Sequence, residues 1–393
     1  MTDYEKIYCF KNIYKAYKAT IKGKRNKREV IQYEADLSMN LWNLYHELEH
    51  HTYQLSGYYY FRVYDPKVRE IQALTLRDRV VQHSLCDNVL RPYFEPRLIY
   101  DSAACREGKG TRFATDRLTS FLRKYYKKNG AEGYILKFDI RKFFDSIDHI
   151  ILKQKLVALP DENIKELLWH IIDSFQKNDK AEERARGIPL GNQTSQWFAL
   201  WYLNDLDRLI KEKLHIKYYS RYMDDGILIH ESKEYLQECF AQMKTYVEEK
   251  LRLEFNEKTQ IFPICQGADY LGFRFYLTES GKVIRRLRTS NKKRWKRRMK
   301  LYQKQYSMGQ KSLEDITKSI KSYHGHLQYG NTYRLRKNVY GKFILTRSKN
   351  VNEEDSESEK ENSNENHELS AHHSNDSRRT QPVTAYNSGG NGR

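Results

Sequence analysis

The stretch IKYYSRYMDDGILIH, Ile216 to His230, constrains this chain more than any other. Two apolar runs flank a pair of adjacent carboxylates, Asp224 and Asp225, and the pattern reads as two β-strands around a tight acidic turn. Two neighbouring acids on their own usually mark a solvated turn. Here the flanks are apolar, and Tyr222 and Met223 lead into the pair, which argues against that reading. A second short apolar run, GYILKFDI, brings Asp139 to its end about 85 residues earlier.

Strands that end in carboxylates and lie side by side in one sheet form an oxygen-ligand pocket for Mg²⁺. Two carboxylates about 4 Å apart repel by roughly 4 kcal/mol at an effective dielectric of 20. Two Mg²⁺ ions offset that repulsion. They also suit an in-line displacement, activating an attacking 3′-oxygen and steadying a leaving pyrophosphate.

Charge points to the partner. The chain has 393 residues and a formal charge of +19, from 70 basic and 51 acidic side chains. From Lys349 onward it holds nine acidic and five basic residues, so the remaining body is more basic still. Such a body suits a polyanion, most simply nucleic acid. The segment RRLRTSNKKRWKRRMKLYQKQ, from Arg285, carries ten Lys or Arg in its first sixteen residues, and on helices it would grip phosphates. The last stretch, from about residue 348, is polar and low in complexity and is expected to be disordered. Five scattered cysteines without a CxxC pair fit a reducing cytoplasm. The opening residues carry charges throughout, and no apolar run reaches membrane length, so neither a signal peptide nor a membrane contact is expected.

Along the chain, residues 1–57 read as helical. YYYFRVYDP looks extended, LRDRVVQHSLCDNVL helical, and Lys233 to Leu251 helical. ADYLGFRFYLTESGKVI reads as a hairpin turning at ESGK, and the chain from Arg285 to about Lys342 as basic helix.

The ordered set of motifs resembles the reverse transcriptases. YMDD in its hairpin is similar to their catalytic turn. RVYDPKVREI and DSAACREGKGT resemble the fingers motifs, LKFDIRKFFDSIDH the first catalytic motif, and GIPLGNQTSQWFALWYLNDLD the loop and helix under the nucleotide. FNEKTQIF resembles the lysine motif that follows, and DYLGFRF the primer grip; together they span roughly Tyr58 to Phe275. The resemblance implies an α+β right hand, with fingers, a palm built on an antiparallel sheet and a helical thumb. The implied division is 1–57 helical extension, 58–280 fingers and palm, 281–347 thumb and 348–393 disordered tail.

The same resemblance assigns roles. Asp139, Ile140, Asp224 and Asp225 would hold two Mg²⁺ ions, for which Mn²⁺ can substitute; Asp225 is the weaker ligand or a support. Lys67, Arg69, Arg106 and Lys109 are candidates for the triphosphate, each with surface charge as its alternative. Phe144 would exclude a 2′-hydroxyl or simply pack the core. Leu190 and Gly191 would lie under the nucleotide, with Gly187 also allowing close backbone approach, and Lys258 would meet the pyrophosphate. Ser195 and Gln196 would touch the template strand or cap a helix. Tyr222, Met223, Leu271, Gly272, Lys292, Lys293, Arg297 and Arg298 complete the template–primer set. The implied partners are an RNA template, a DNA or RNA primer, deoxynucleoside triphosphates and a small helical-bundle accessory protein.

Within the family, GNQTSQ with an aliphatic Leu190 before its Gly is similar to the enzymes of diversity-generating retroelements, which make error-prone cDNA. Antiphage-defence, group II intron-like and retron-like enzymes are the alternatives, and a catalytically dead nucleic-acid-binding module is another. HELEH, His46 to His50, fits the HExxH pattern of zinc metalloproteases and supplies a remote alternative.

Overall fold

The computed structural model describes residues 1–64, 68–175 and 184–347. Lys67 and the tail expected to be disordered lie outside the described residues. The chain divides into two compact units, one formed by Met1–Arg288 with Leu327–Thr332, the other by Thr289–His326 with the segment from Tyr333.

The first unit opens with four helices, α1 (Asp3–Tyr8), α2 (Phe10–Ile21), α3 (Arg28–Ala35) and α4 (Leu37–Glu49). A capping box between Thr2 and Glu5 starts α1. Ile13, Ala16, Tyr17, Thr20 and Ile21 form one buried stripe on α2, which packs on α5 (Leu76–Leu85). Ser84 of α5 donates to the Ile7 carbonyl at 2.5 Å, and the Tyr4 amide donates to Asp161 at 2.9 Å. The N-terminal helices therefore share the main core. Between α4 and α5, β1 (Tyr58–Val63) and β2 (Arg69–Leu74) pair as an antiparallel ribbon. α5 runs through a π-turn at Cys86–Leu90 into α6 (Arg91–Phe94), and α7 (Thr111–Asn129) follows.

The central sheet is built from β3 (Tyr134–Phe138), β4 (Tyr218–Tyr222), β5 (Asp225–His230) and β6 (Gln260–Pro263), in the order β4-β5-β3-β6 and antiparallel throughout. Leu136, Tyr219 and Leu228 are fully buried and join the core with Leu236, Met243 and Val247 of α13 (Lys233–Leu251). Between β3 and β4 come α8 (Phe143–Ser146), α9 (His149–Leu156), α10 (Glu162–Asp173), α11 (Gln193–Tyr202) and α12 (Asn204–Arg208).

A second sheet has three strands, β7 (Ala268–Tyr270), β8 (Phe273–Leu277) and β9 (Val283–Leu287). The sequence suggested one hairpin here; a second tight turn at Leu271 and Gly272, both at positive φ, adds β7. Arg285 was also expected to open the basic helix. It lies instead in β9 opposite Phe275, because alternation in VIRRL buries Val283 and Leu287 and pairs the segment with β8. The helix begins at Thr289.

The second unit is helical: α14 (Thr289–Ser307), α15 (Leu313–Leu327) and α16 (Tyr333–Tyr340). Trp295, Met299 and Tyr302 form the buried stripe of α14, and Trp295 meets Tyr323 and Tyr340 with ring centroids 6.0 and 5.5 Å apart. Lys292, Lys293 and Arg297 are exposed, and Arg298 is half-buried. Among the described residues no helix is long and apolar enough to cross a membrane.

Candidate active site

Two neighbouring strands of the central sheet deliver carboxylates to the same end. Phe138 pairs with Gly226, so Asp139, one residue beyond β3, lies beside Asp225 at the start of β5. Tyr222 pairs with Asp225 across a two-residue turn made of Met223 and Asp224. The Asp139 and Asp224 carboxyls come within hydrogen-bonding reach of each other. Asp225 turns toward Lys137, whose ammonium is 3.3 Å from its buried Oδ1. The Asp139 carbonyl accepts from the Asn256 amide at 2.7 Å, which ties the loop bearing Lys258 to the same corner. Ile140 forms an isolated bridge with Phe255 and is buried.

Burial, and after it the neighbouring Asp139, together raise the Asp224 carboxyl to about 6. Burial likewise raises Asp225 to about 7 against the opposing pull of Lys137. Carboxyls desolvated and crowded in this way resist ionising together, because each feels the other's charge. A hard divalent cation with oxygen ligands fits this donor set.

The turn is held from beneath by an ion pair the sequence reading missed. Arg221 and Asp207 have fully buried side chains and meet through two hydrogen bonds, of 2.7 and 2.5 Å. A further guanidinium N–H donates to the Met223 carbonyl at 2.7 Å. Met223 has φ +55°, a left-handed conformation that a side chain adopts only when its surroundings hold it there. The Tyr219 hydroxyl donates to Asp207 at 2.6 Å, and the Arg221 backbone bonds Asp101 and Ala103. Gly226 is needed for another reason: a Cβ there would lie 2.2 Å from the ring of Phe138, which crosses it.

The glycine-bearing loop before α11 is clamped to β2. The Leu190 amide donates to the Gln72 side chain at 3.1 Å, and the Gln72 amide donates back to the Leu190 carbonyl at 3.3 Å. Gly191 sits at φ +112°, where a Cβ would meet Ile71 at 3.1 Å. Gly187 donates to the Ile147 carbonyl at 2.8 Å, and Ile188 donates to the Phe144 carbonyl at 2.8 Å. The loop is thus fastened to the segment carrying Phe144, whose half-buried ring packs edge-on against Phe143. Ser195 is buried with its hydroxyl unpartnered, both side-chain polar atoms of Asn192 are likewise unpartnered, and Gln196 is half-buried.

Of the expected phosphate cations, Arg69 and Lys258 are exposed. Arg106 is not: its guanidinium bonds Glu95 at 2.8 Å and the carbonyls of Ile99 and Ser102 at 2.7 and 3.0 Å, which commits it to shaping its own loop. Lys109 donates to the Tyr100 carbonyl at 2.6 Å and lies over the Tyr100 ring; burial lowers it to about 8. Both cations are thus engaged by the carbonyls of their own loop, whereas Arg69 and Lys258 are exposed. Tyr222 and Met223 are half-buried beside the acids, and Leu271 and Gly272 form the β7–β8 turn.

HELEH brings His46, Glu49 and His50 together at the end of α4, with Glu49 Oε2 3.3 Å from His46 Nδ1 and 3.8 Å from His50 Nε2. The general base of the protease alternative would be Glu47, and that residue is ion-paired with Arg77. Glu47 thus turns away to Arg77, and it is Glu49 that meets the two histidines.

The family model described as reverse transcriptase (RNA-dependent DNA polymerase) matches residues 65–275, more than half of the chain. The chain is similar to the group II intron-encoded protein LtrA of Lactococcus lactis subsp. cremoris, with 22% identity over 56% of this chain and 46% of that protein. It thus spans less than half the length of this curated relative. Among solved structures, it resembles apo telomerase from Candida tropicalis truncated from its C-terminal domain (17% identity, 58% of this chain, 57% of that one, TM-score 0.43). It also resembles telomerase from Candida albicans in complex with a fragment of telomeric RNA (14% identity, 75% and 56%, TM-score 0.45).

Proposed function

This chain belongs to the reverse transcriptase family, and from that premise we propose that it is an RNA-directed DNA polymerase that extends a primer 3′-end with deoxynucleotides. The meeting of Asp139 and Asp224 at adjacent strand ends supports this most directly. Asp139 and Asp224 would be the principal ligands of two divalent ions, Mg²⁺ in the cell, with the Ile140 carbonyl beside them and Asp225 as a weaker ligand or support. Bound there, the ions supply activation of the 3′-oxygen and charge neutralisation at the pyrophosphate. The protein's own part is positional. Arg221 holds the turn, Gln72 holds the nucleotide loop, and Phe144 would lie against the sugar. The subdomain roles follow the expected division: fingers and palm within 58–280, and a thumb in the basic helices, with Lys292, Lys293, Arg297 and Arg298 as candidate phosphate contacts.

The finer reading is error-prone cDNA synthesis in a diversity-generating retroelement, with a template RNA and a small helical-bundle protein as partners. GNQTSQ behind an apolar Leu190 supports it. The similarity to a group II intron-encoded protein favours the second reading, a group II intron-like enzyme. One experiment addresses both. The purified chain copies a defined RNA template from an annealed DNA primer in Mg²⁺, and the product is sequenced. Absence of extension, with EDTA making no difference, overturns the polymerase. Extension with errors concentrated opposite adenine supports the first reading, and uniform low error supports the second.

A further inference from the structure

Along α7, the only acidic side chain is Asp116, against six Lys or Arg. Arg117 of these turns inward to Asp101. Arg123, Lys124 and Lys127 border a cleft of about 400 Å³ between α7 and β9, whose walls are completed by Asp116, Thr119, Ser120 and Arg285. Asp116 is already neutralised, 2.6 Å from Arg285 and 3.7 Å from Arg112. Arg123, Lys124 and Lys127 are exposed, and among the described residues they have no ion-pair partner. Residues three and four apart on a helix lie side by side, so Ser120, Arg123, Lys124 and Lys127 form one continuous strip. Like charges arranged this way repel one another along the helix, and a polyanion seated on the strip would relieve that repulsion.

The strip is remote from the carboxylates. Tyr125, between these cations, packs on Tyr218 and donates to the Glu132 carbonyl at 2.6 Å, just before β3 begins. Asp139 lies past the other end of that strand. At about 3.3 Å per residue the two ends of that strand lie roughly 20 Å apart.

We propose that the α7–β9 cleft is a docking site for the backbone of a structured RNA, separate from the track that carries the template–primer. The chemistry matches. Arg123 can take a phosphate with its guanidinium fork, Lys124 and Lys127 neutralise its neighbours, and Ser120 offers a hydroxyl to a 2′-OH. A-form RNA is held through such phosphate and 2′-hydroxyl contacts and by shape. The choice of RNA rests on the polymerase reading; the location rests on the cleft alone.

The test uses the full chain, an RNA hairpin with about 16 base pairs, and a short RNA–DNA template–primer. Reversing Arg123, Lys124 and Lys127 to Glu should weaken hairpin binding at least tenfold and lower the log–log salt slope by about two to three, at roughly 0.7–0.9 per lost phosphate contact. Extension of the short template–primer should stay within about twofold. A matched reversal of the exposed Lys11, Lys15 and Lys18 on α2 should leave hairpin binding nearly unchanged. Unchanged hairpin affinity in the α7 variant overturns the proposal, as does an equal loss in the α2 control. One-for-one displacement of the hairpin by the template–primer overturns it too, by placing both on one track, and equal displacement by polyglutamate would reduce the cleft to an unselective acid binder. Asp224→Asn should bind the hairpin like the parent, so a failure of the polymerase reading is seen separately from a failure of the cleft.

Discussion

Replacing Arg221 with Met removes a fully buried cation and leaves Asp207 charged and buried beneath the turn. Breaking a buried pair from one side costs about 3–5 kcal/mol, because the remaining charge is uncompensated. Arg221 also donates to Met223 and, at 3.4 Å, to Leu200, so the loss should sit at the upper part of that range. A typical fold has about 5–15 kcal/mol in all, so the variant should be folded but weak. Hydrogen–deuterium exchange of β4 and β5 amides should accelerate by roughly two orders of magnitude or more, since each 1.4 kcal/mol is about tenfold. Replacing both partners, Arg221→Met with Asp207→Leu, removes the stranded charge and should recover most of the protection. It should not recover primer extension, because no donor then holds the Met223 carbonyl at φ +55°. Stability and activity therefore separate in the double variant. A single variant costing less than about 1 kcal/mol, or a double variant with full extension, would refute this role for the pair.

Gly226→Ala should cost roughly 1–3 kcal/mol as Phe138 is forced aside, and Phe138→Leu in the same chain should restore part of it in a denaturant titration. His149 gives a pH signature. Burial lowers its imidazole below the usual 6.5, it lies 2.7 Å from the Gly187 carbonyl, and the charged groups facing it are Asp173, Lys153 and Asp148. The unfolded chain takes up the proton first, so this stability is lost as pH falls through about 6.5. His149→Gln keeps an N–H for Gly187 and cannot titrate; parent Tm should fall relative to the variant between pH 7 and 5.5, and parallel curves, or a parent that gains on the variant, would contradict the buried neutral imidazole. Leu190→Gln restores a hydrogen-bonding side chain worth about 0.5–1.5 kcal/mol. Sequenced cDNA should then carry up to about tenfold fewer errors opposite adenine, and identical spectra would leave Leu190 as packing.

The parts of this molecule legible in its sequence are those fixed by local pattern. The apolar runs around Asp224 and Asp225 form β4 and β5, the run before Asp139 forms β3, and α13 spans Lys233–Leu251 as its sequence suggests. Long-range polar choices were not legible. Arg221 meets Asp207 fourteen positions away, and Gln72 meets Leu190 across 118. No periodicity announces either pair. Arg106 shows the converse. A cation in a glycine-bearing loop has the same letter whether it waits for phosphate or closes on Glu95, and only the folded loop decides. The β7–β8 turn is not legible in the sequence because Leu271, unlike the Gly beside it, is a poor signal for positive φ.

We propose that Asp139 and Asp224 together carry metal-dependent polymerisation. It is tested most directly by Asp224→Asn, assayed beside the parent for extension of a primer on an RNA template in Mg²⁺, with duplex binding measured in the same samples. Extension should be undetectable, with binding kept within a few fold. Near-normal extension by Asp224→Asn would contradict it.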